Sequence, residues 1–141
     1  MKIKKFNVSE EGLNRFFGPL EARIMEIIWS SKEISIKDVH SVINQDTPIS
    51  FNAIMTVMNR LHEKGHLKKD GSGKGRGRIA YFGPMQSKEQ FLVEQTKAVT
   101  DGLIHEFGDL VVTHMIDALE DADPDLIRRL EQKLNEMKKR E

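Results

Sequence analysis

The apolar positions of the chain recur first at helical spacing, then in two short strand-like runs, then at helical spacing again to the C-terminus. After a polar N-terminal arm, Gly18-Pro19-Leu20 opens a stretch in which Leu20, Ile24, Ile27 and Ile28 share one face and Trp29 closes the pattern. Ser30-Ser31-Lys32-Glu33 is a polar break, and Ile34 is placed on a very short strand. Ser35 has N-cap chemistry with Asp38 three residues on, which predicts a second short helix with Ile36, Val39, His40, Val42 and Ile43 on its face, ending near Asn44. Gln45-Asp46-Thr47-Pro48 reads as a turn. Ser50 is the next N-cap, and Ile54, Val57, Met58 and Leu61 fall at i, i+3, i+4 and i+7, the buried stripe of a third helix that Gly65 stops.

Residues 66 to 70 and 78 to 82 read as two short strands joined by Gly71-Ser72-Gly73-Lys74-Gly75-Arg76-Gly77, a loop with glycine at every other position. Ser87-x-x-Gln90 has capping-box spacing ahead of a fourth helix carrying Phe91, Leu92, Gln95, Val99, Leu103 and Phe107. Asp109 is placed as the cap of a fifth helix with Leu110, Val111, Met115, Ile116 and Leu119. Asp123-Pro124 opens a sixth with Leu126, Ile127, Leu130, Leu134 and Met137. The order helix, helix, helix, strand, basic loop, strand is that of a winged helix. The predicted fold is therefore mostly α with a small β-hairpin, a winged helix-turn-helix domain followed by an α-helical dimerisation domain. The expected divisions are an arm at 1–17, the winged helix at 18–85 and the helical domain at 86–141. Three striped helices in so short a domain cannot bury their stripes fully by themselves, so a homodimer formed through residues 87–141 is expected.

Composition narrows the function. The 141 residues contain 22 Lys+Arg, 22 Asp+Glu and no Cys. No apolar run approaches the roughly 18 to 20 residues of a membrane span, and the first residues are not a secretion signal, which gives an expected cytoplasmic address. Without Cys there is no disulfide framework, zinc ribbon, iron–sulfur cluster or thiolate copper site, and no cofactor is expected. The zero net charge conceals an asymmetry: residues 1 to 86 are net +5 and residues 87 to 141 net −5. The whole surplus sits in residues 50 to 84, where Arg60, Lys64, Lys68, Lys69, Lys74, Arg76 and Arg78 face only Glu63 and Asp70. A solvated basic face is one explanation; a polyanion-binding surface is the other.

The outer face of the third helix starts beside Ser50 and carries Asn52, Ala53, Met55, Thr56, Asn59, Arg60 and Glu63, small or polar except for Met55. Asn bonds adenine bidentately, Thr and Ala touch a thymine methyl, and Arg pairs with guanine or phosphate, so this face suits the major groove of double-stranded DNA. The glycine-rich loop suits phosphates, with Lys74, Arg76 and Arg78 along the groove edge. A competing motif is His62-Glu63-Lys64-Gly65-His66, which matches the zinc-hydrolase pattern His-Glu-x-x-His; Gly65, however, ends the helix that such a site needs to run unbroken. His105, Glu106, Asp109 and His114 form the other cluster of possible ligands, near the junction of the fourth and fifth helices. The alternatives to DNA binding are thus a protein-interaction module with a basic hairpin and a zinc-dependent hydrolase.

The strings Gly18-Pro19-Leu20-Glu21-x-x-Ile24-Met25-x-Ile27-Ile28-Trp29, Val39-His40, Ile54-Met55-Thr56-Val57-Met58-x-Arg60-Leu61-x-x-Lys64-Gly65-x-Leu67 and Tyr81-Phe82-x-Pro84 resemble the penicillinase-repressor family (BlaI, MecI, CopY). The likeness covers residues 18 to 84 strongly and the tail loosely. It implies a dimeric winged-helix transcriptional repressor, without enzymatic activity, on a dyad-symmetric operator. By matching positions it implies DNA contacts from Asn52, Ala53, Met55, Thr56 and Arg60, supported by Arg78 and Tyr81. Departures bear on induction. The copper-responsive branch uses Cys-x-Cys pairs, absent here. The antibiotic-resistance branch is cleaved at an Asn-Phe bond, where this chain has Leu110-Val111-Val112-Thr113-His114. The inducer, or an inducing protease, is therefore left open.

Overall fold

The computed structural model describes residues 5 to 71 and 79 to 140. A short 3-10 turn, Gly12–Arg15, leads into α1 (Pro19–Ser31), β1 (Ile34–Ser35), α2 (Ile36–Asp46), α3 (Phe51–Glu63), β2 (Leu67–Asp70), β3 (Tyr81–Pro84), α4 (Lys88–Leu119) and α5 (Pro124–Lys139). The strands form one antiparallel sheet in the order β1-β3-β2. The chain is mostly helical with a small hairpin, a winged helix-turn-helix followed by helices, as its apolar pattern requires. It divides into two compact units, Met1–Ala98 and Val99–Glu141.

Local chemistry explains the boundaries. Ser35 Oγ accepts from the Asp38 N–H at 3.2 Å and Ser50 Oγ from the Ala53 N–H at 3.1 Å, so each side chain satisfies a backbone donor that its helix leaves free. Ser87 and Gln90 cap α4 reciprocally, at 3.1 and 3.2 Å. At the end of α3, Gly65 takes φ +87, the Gly65 N–H reaches the His62 carbonyl and the His66 N–H reaches Leu61, a Schellman closure.

Within the first unit the core consists of Ala22, Ile24, Met25 and Ile28 of α1, Val39 and Ile43 of α2, Ile54, Met58 and Leu61 of α3, with Ile34, Leu67 and Phe82 from the sheet. Phe16, Phe17 and Phe91 extend it as an aromatic cluster, Phe17 and Phe91 stacked at 5.1 Å. The predicted stripes are displaced slightly. Leu20, Ile27 and Val57 are half-buried and Val42 is exposed, while Ala22 and Met25 are fully inside. Phe16 and Phe17, read from sequence as part of the arm, are also buried, and the first turns of α4 join this core through Phe91 and Gln95.

Several boundaries differ from the sequence expectation: α1 runs to Ser31 and α2 to Asp46, so Ser30, Ser31, Gln45 and Asp46, read as parts of breaks between helices, are helical. The second hairpin strand is Tyr81–Pro84, three residues later than expected, in register Leu67↔Pro84 through Asp70↔Tyr81. The later register puts Phe82 in the core and leaves Tyr81 outside. Gly83 permits it, since a Cβ there would lie 2.7 Å from the Lys32 carbonyl oxygen. The expected fourth and fifth helices run together as the stretch Lys88–Leu119, in which two helices meet at a kink marked by the non-helical angles of Phe107 (φ −131, ψ 32). The second of the two helices thus starts directly after Phe107, two residues earlier than expected, and Asp109 lies in its first turn rather than at its cap.

Candidate nucleic-acid interface

The candidate surface is built on α3. Three fully buried side chains, Ile54, Met58 and Leu61, fix its rotation against the core. The opposite face then has no choice but to look outward. Asn52, Thr56 and Arg60 are exposed, and Ala53, Met55 and Asn59 are half-buried beside them. Ser50 is exposed and holds the first turn through its cap bond. Asn52 and Thr56 stand one helical turn apart, so a groove receiving the N-terminal half of α3 meets both.

At the C-terminal end of α3 the Lys64 ammonium pairs with Glu21 at 3.2 Å, and Glu21 also accepts from the Gly18 N–H at 3.1 Å. The start of α1 is thereby tied to the end of α3. Lys68 and Lys69 are exposed on β2, and Tyr81, with 41% of its surface exposed, is paired opposite Asp70 on β3. The expected wing cations Lys74, Arg76 and Arg78 lie outside the described residues.

The His-Glu-x-x-His stretch does not form the face that its motif needs. The Schellman turn separates the two histidines: the His62 Nδ1–H donates to the Leu67 carbonyl at 2.9 Å, while His66 turns inward against Phe17, ring centroids 5.3 Å apart. Burial of the His66 ring, with Lys64 nearby, holds its pKa below the ordinary 6.5; Glu21 opposes that shift. Among the described residues no group of three or more His, Cys, Asp or Glu is arranged to hold a metal ion. His105, Glu106, Asp109 and His114 are all exposed on α4.

Sequence reasoning missed one residue of this surface. The outer face was read from Asn52 onward, but Phe51, the first residue of α3, is an exposed aromatic at 43%. The available signal was its place directly after the capping Ser50, one turn ahead of Ile54 and so beyond the end of the buried stripe that it prolongs.

The second unit presents an exposed apolar surface. None of the described residues from 99 to 140 is buried, and Phe107, Leu110, Met115, Ile116, Leu126 and Leu134 are among its exposed large apolar side chains. Among the described residues, no helix is long and apolar enough to cross a membrane.

A family model described as penicillinase repressor matches residues 17–136 of the chain. No protein among curated sequences matches it. Solved structures similar to the chain include the DNA-binding domain of the repressor BlaI, at 21% identity and TM-score 0.45, covering 58% of this chain and 94% of that one. The transcriptional regulator PA4135 is similar at 16% identity and TM-score 0.46, covering 79% and 84%. The reduced form of MarR from E. coli is similar at 13% identity and TM-score 0.40, covering 86% and 77%.

Proposed function

The chain belongs to the penicillinase-repressor family, and from that premise we propose that it is a homodimeric transcriptional repressor that binds a dyad-symmetric operator with α3 in the major groove. The observation that carries this reading is the division of α3 into a fully buried stripe and an outward face of Asn52, Thr56 and Arg60. Asn52 and Thr56 read base edges, with Ala53, Met55 and Asn59 lining the same approach, and Arg60 takes a guanine or a phosphate. Ser50 and Tyr81 flank the groove, and Lys74, Arg76 and Arg78 of the wing neutralise phosphates. In this reading residues 18 to 85 bind DNA and residues 86 to 141 dimerise, α4 being anchored to the winged helix by Phe91 before its apolar face is offered to a second copy. Two winged helices held by one interface give each half-site contact a high effective local concentration of the other.

The test compares an operator, recovered from random duplexes by the full chain, with a scrambled duplex at matched salt. Substituting Asn52 and Thr56 together by Ala keeps the buried stripe and the helix propensity. Operator affinity then falls by about 1 to 3 kcal/mol for each base edge that is no longer read, while scrambled-duplex affinity and its salt slope stay nearly constant. If the double variant keeps its full operator preference, α3 is not the reading helix.

A further inference from the structure

Phe51 stands where an aromatic side chain has little reason to be left in water. It is the first residue of α3, on the side of the helix that Ile54 and Met58 continue three and seven residues on, and it is 43% exposed while Ile54, Met58 and Leu61 are fully buried. The ring is nonetheless held in place. It meets His40 of α2 edge-on, with centroids 5.9 Å apart and planes at 73°. The His40 Nε2–H donates to the Ile49 carbonyl at 2.7 Å, and the Ile49 N–H donates to Asn44 Oδ1 at 3.0 Å. Two hydrogen bonds thus fasten the connection between α2 and α3 to α2, and the fastened imidazole supports the phenyl ring. Half-buried Met55, one turn further along α3, continues an apolar strip beside the polar strip of Asn52 and Thr56.

A phenyl ring has no donor or acceptor with which to read a base by hydrogen bonding. Of the groups that base pairs present in the major groove, the apolar one is the C5-methyl of thymine, which phenylalanine can contact. We infer that Phe51 is a specificity-determining residue that packs against a thymine methyl at the N-terminal end of α3, with His40 as the residue that positions it. This rests on the proposed placement of α3 in the groove, and it assigns a thymine contact to the N-terminal end of α3 besides those open to Ala53 and Thr56. A ring already ordered by His40 loses little further freedom on binding, so the burial of one methyl is retained as binding free energy.

Deoxyuridine isolates the effect, because it removes the methyl and keeps every hydrogen-bonding group of thymine. The probe is a duplex recovered from random sequences by the full chain, with each thymine replaced in turn. At one thymine per half-site the replacement is expected to weaken binding about fourfold, as for one buried methyl group. Phe51→Ala is expected to bind the thymine and deoxyuridine duplexes equally, still preferring both over a scrambled duplex through Asn52 and Thr56, which also reports that the variant is folded. Phe51→Leu, which keeps an apolar side chain there, is expected to retain part of the discrimination. If the unaltered chain is indifferent to every replacement while preferring its selected duplex over the scrambled one, the thymine contact is wrong and the placement of α3 survives. If Phe51→Ala discriminates as well as the unaltered chain, the methyl is read by another residue and the inference falls. If the chain prefers no duplex over another, the inference falls together with the reading it rests on.

Discussion

Ile54, Met58 and Leu61 of α3 are completely buried within a single chain, whereas Leu110, Met115, Leu126 and Leu134 of α4 and α5, on stripes equally legible in the sequence, are all exposed. The winged helix closes its apolar surface on itself: three helices, a three-stranded sheet and the aromatic cluster around Phe91 meet from several directions. The second unit has only the latter part of α4 and one further helix, and two helices cannot surround a core. The lesson is that a periodic stripe records that a face is meant to be covered, without recording by what. In the winged helix the cover is the same chain. In the tail it is, on the proposed reading, a second copy, and the net negative charge of residues 87 to 141 keeps that surface from competing for DNA.

The strongest way to break this comparison is to hollow out the closed core. Phe82 is fully buried on the central strand, and Phe82→Ala is expected to cost about 3 to 5 kcal/mol. Urea unfolding of the winged-helix transition measures it. The loss is expected to be the same at every protein concentration, and a loss that shrinks as concentration rises would mean that this core is also completed by a partner.

The tail is expected to respond in the opposite way. Leu110→Asp combined with Leu134→Asp alters two exposed residues, so the winged helix stays folded. Each charge would nonetheless be forced into the proposed interface, where burying one apolar side chain contributes about 1.5 to 3 kcal/mol. The dimer dissociation constant in sedimentation is expected to rise by at least about a hundredfold, and operator affinity to fall with it. An unchanged dimer would place the interface elsewhere.

The smallest expected effect sharpens the contrast from the polar side. His66 sits inside the closed aromatic cluster with its pKa below 6.5. The unfolded chain therefore takes up a proton before the folded one as pH drops, and stability falls from about pH 6.5 downward. Melting temperature followed from pH 7 into that range reads the slope. His66→Phe removes the titrating group and is expected to flatten the descent; if the slope is unchanged, other groups set the acid response.

The sequence by itself determined the order of elements, their caps and most of the buried stripes, because these depend on residues a few positions apart. Ser35, Ser50 and Ser87 cap the helices they precede, and Gly65 ends α3 where its pattern stops. The outward face of α3 was legible for the same reason: once Ile54, Met58 and Leu61 are inside, helical geometry leaves Asn52 and Thr56 outside. Tertiary structure alone decided what distant segments impose on one another. The register of β3 follows from Phe82 entering the core and from the close passage of Lys32 past Gly83. Helical spacing continues on both sides of Phe107, so nothing local distinguishes a kink from the end of a helix. Phe91 drew the start of α4 into the winged helix by stacking on Phe17. Phe51, though it prolongs the buried stripe of α3 toward its start, stays exposed and meets His40, which is held by Ile49. Pattern reports which side of an element is apolar, while packing decides what that side meets, since burial is a property of the way segments come together and not of the segment itself.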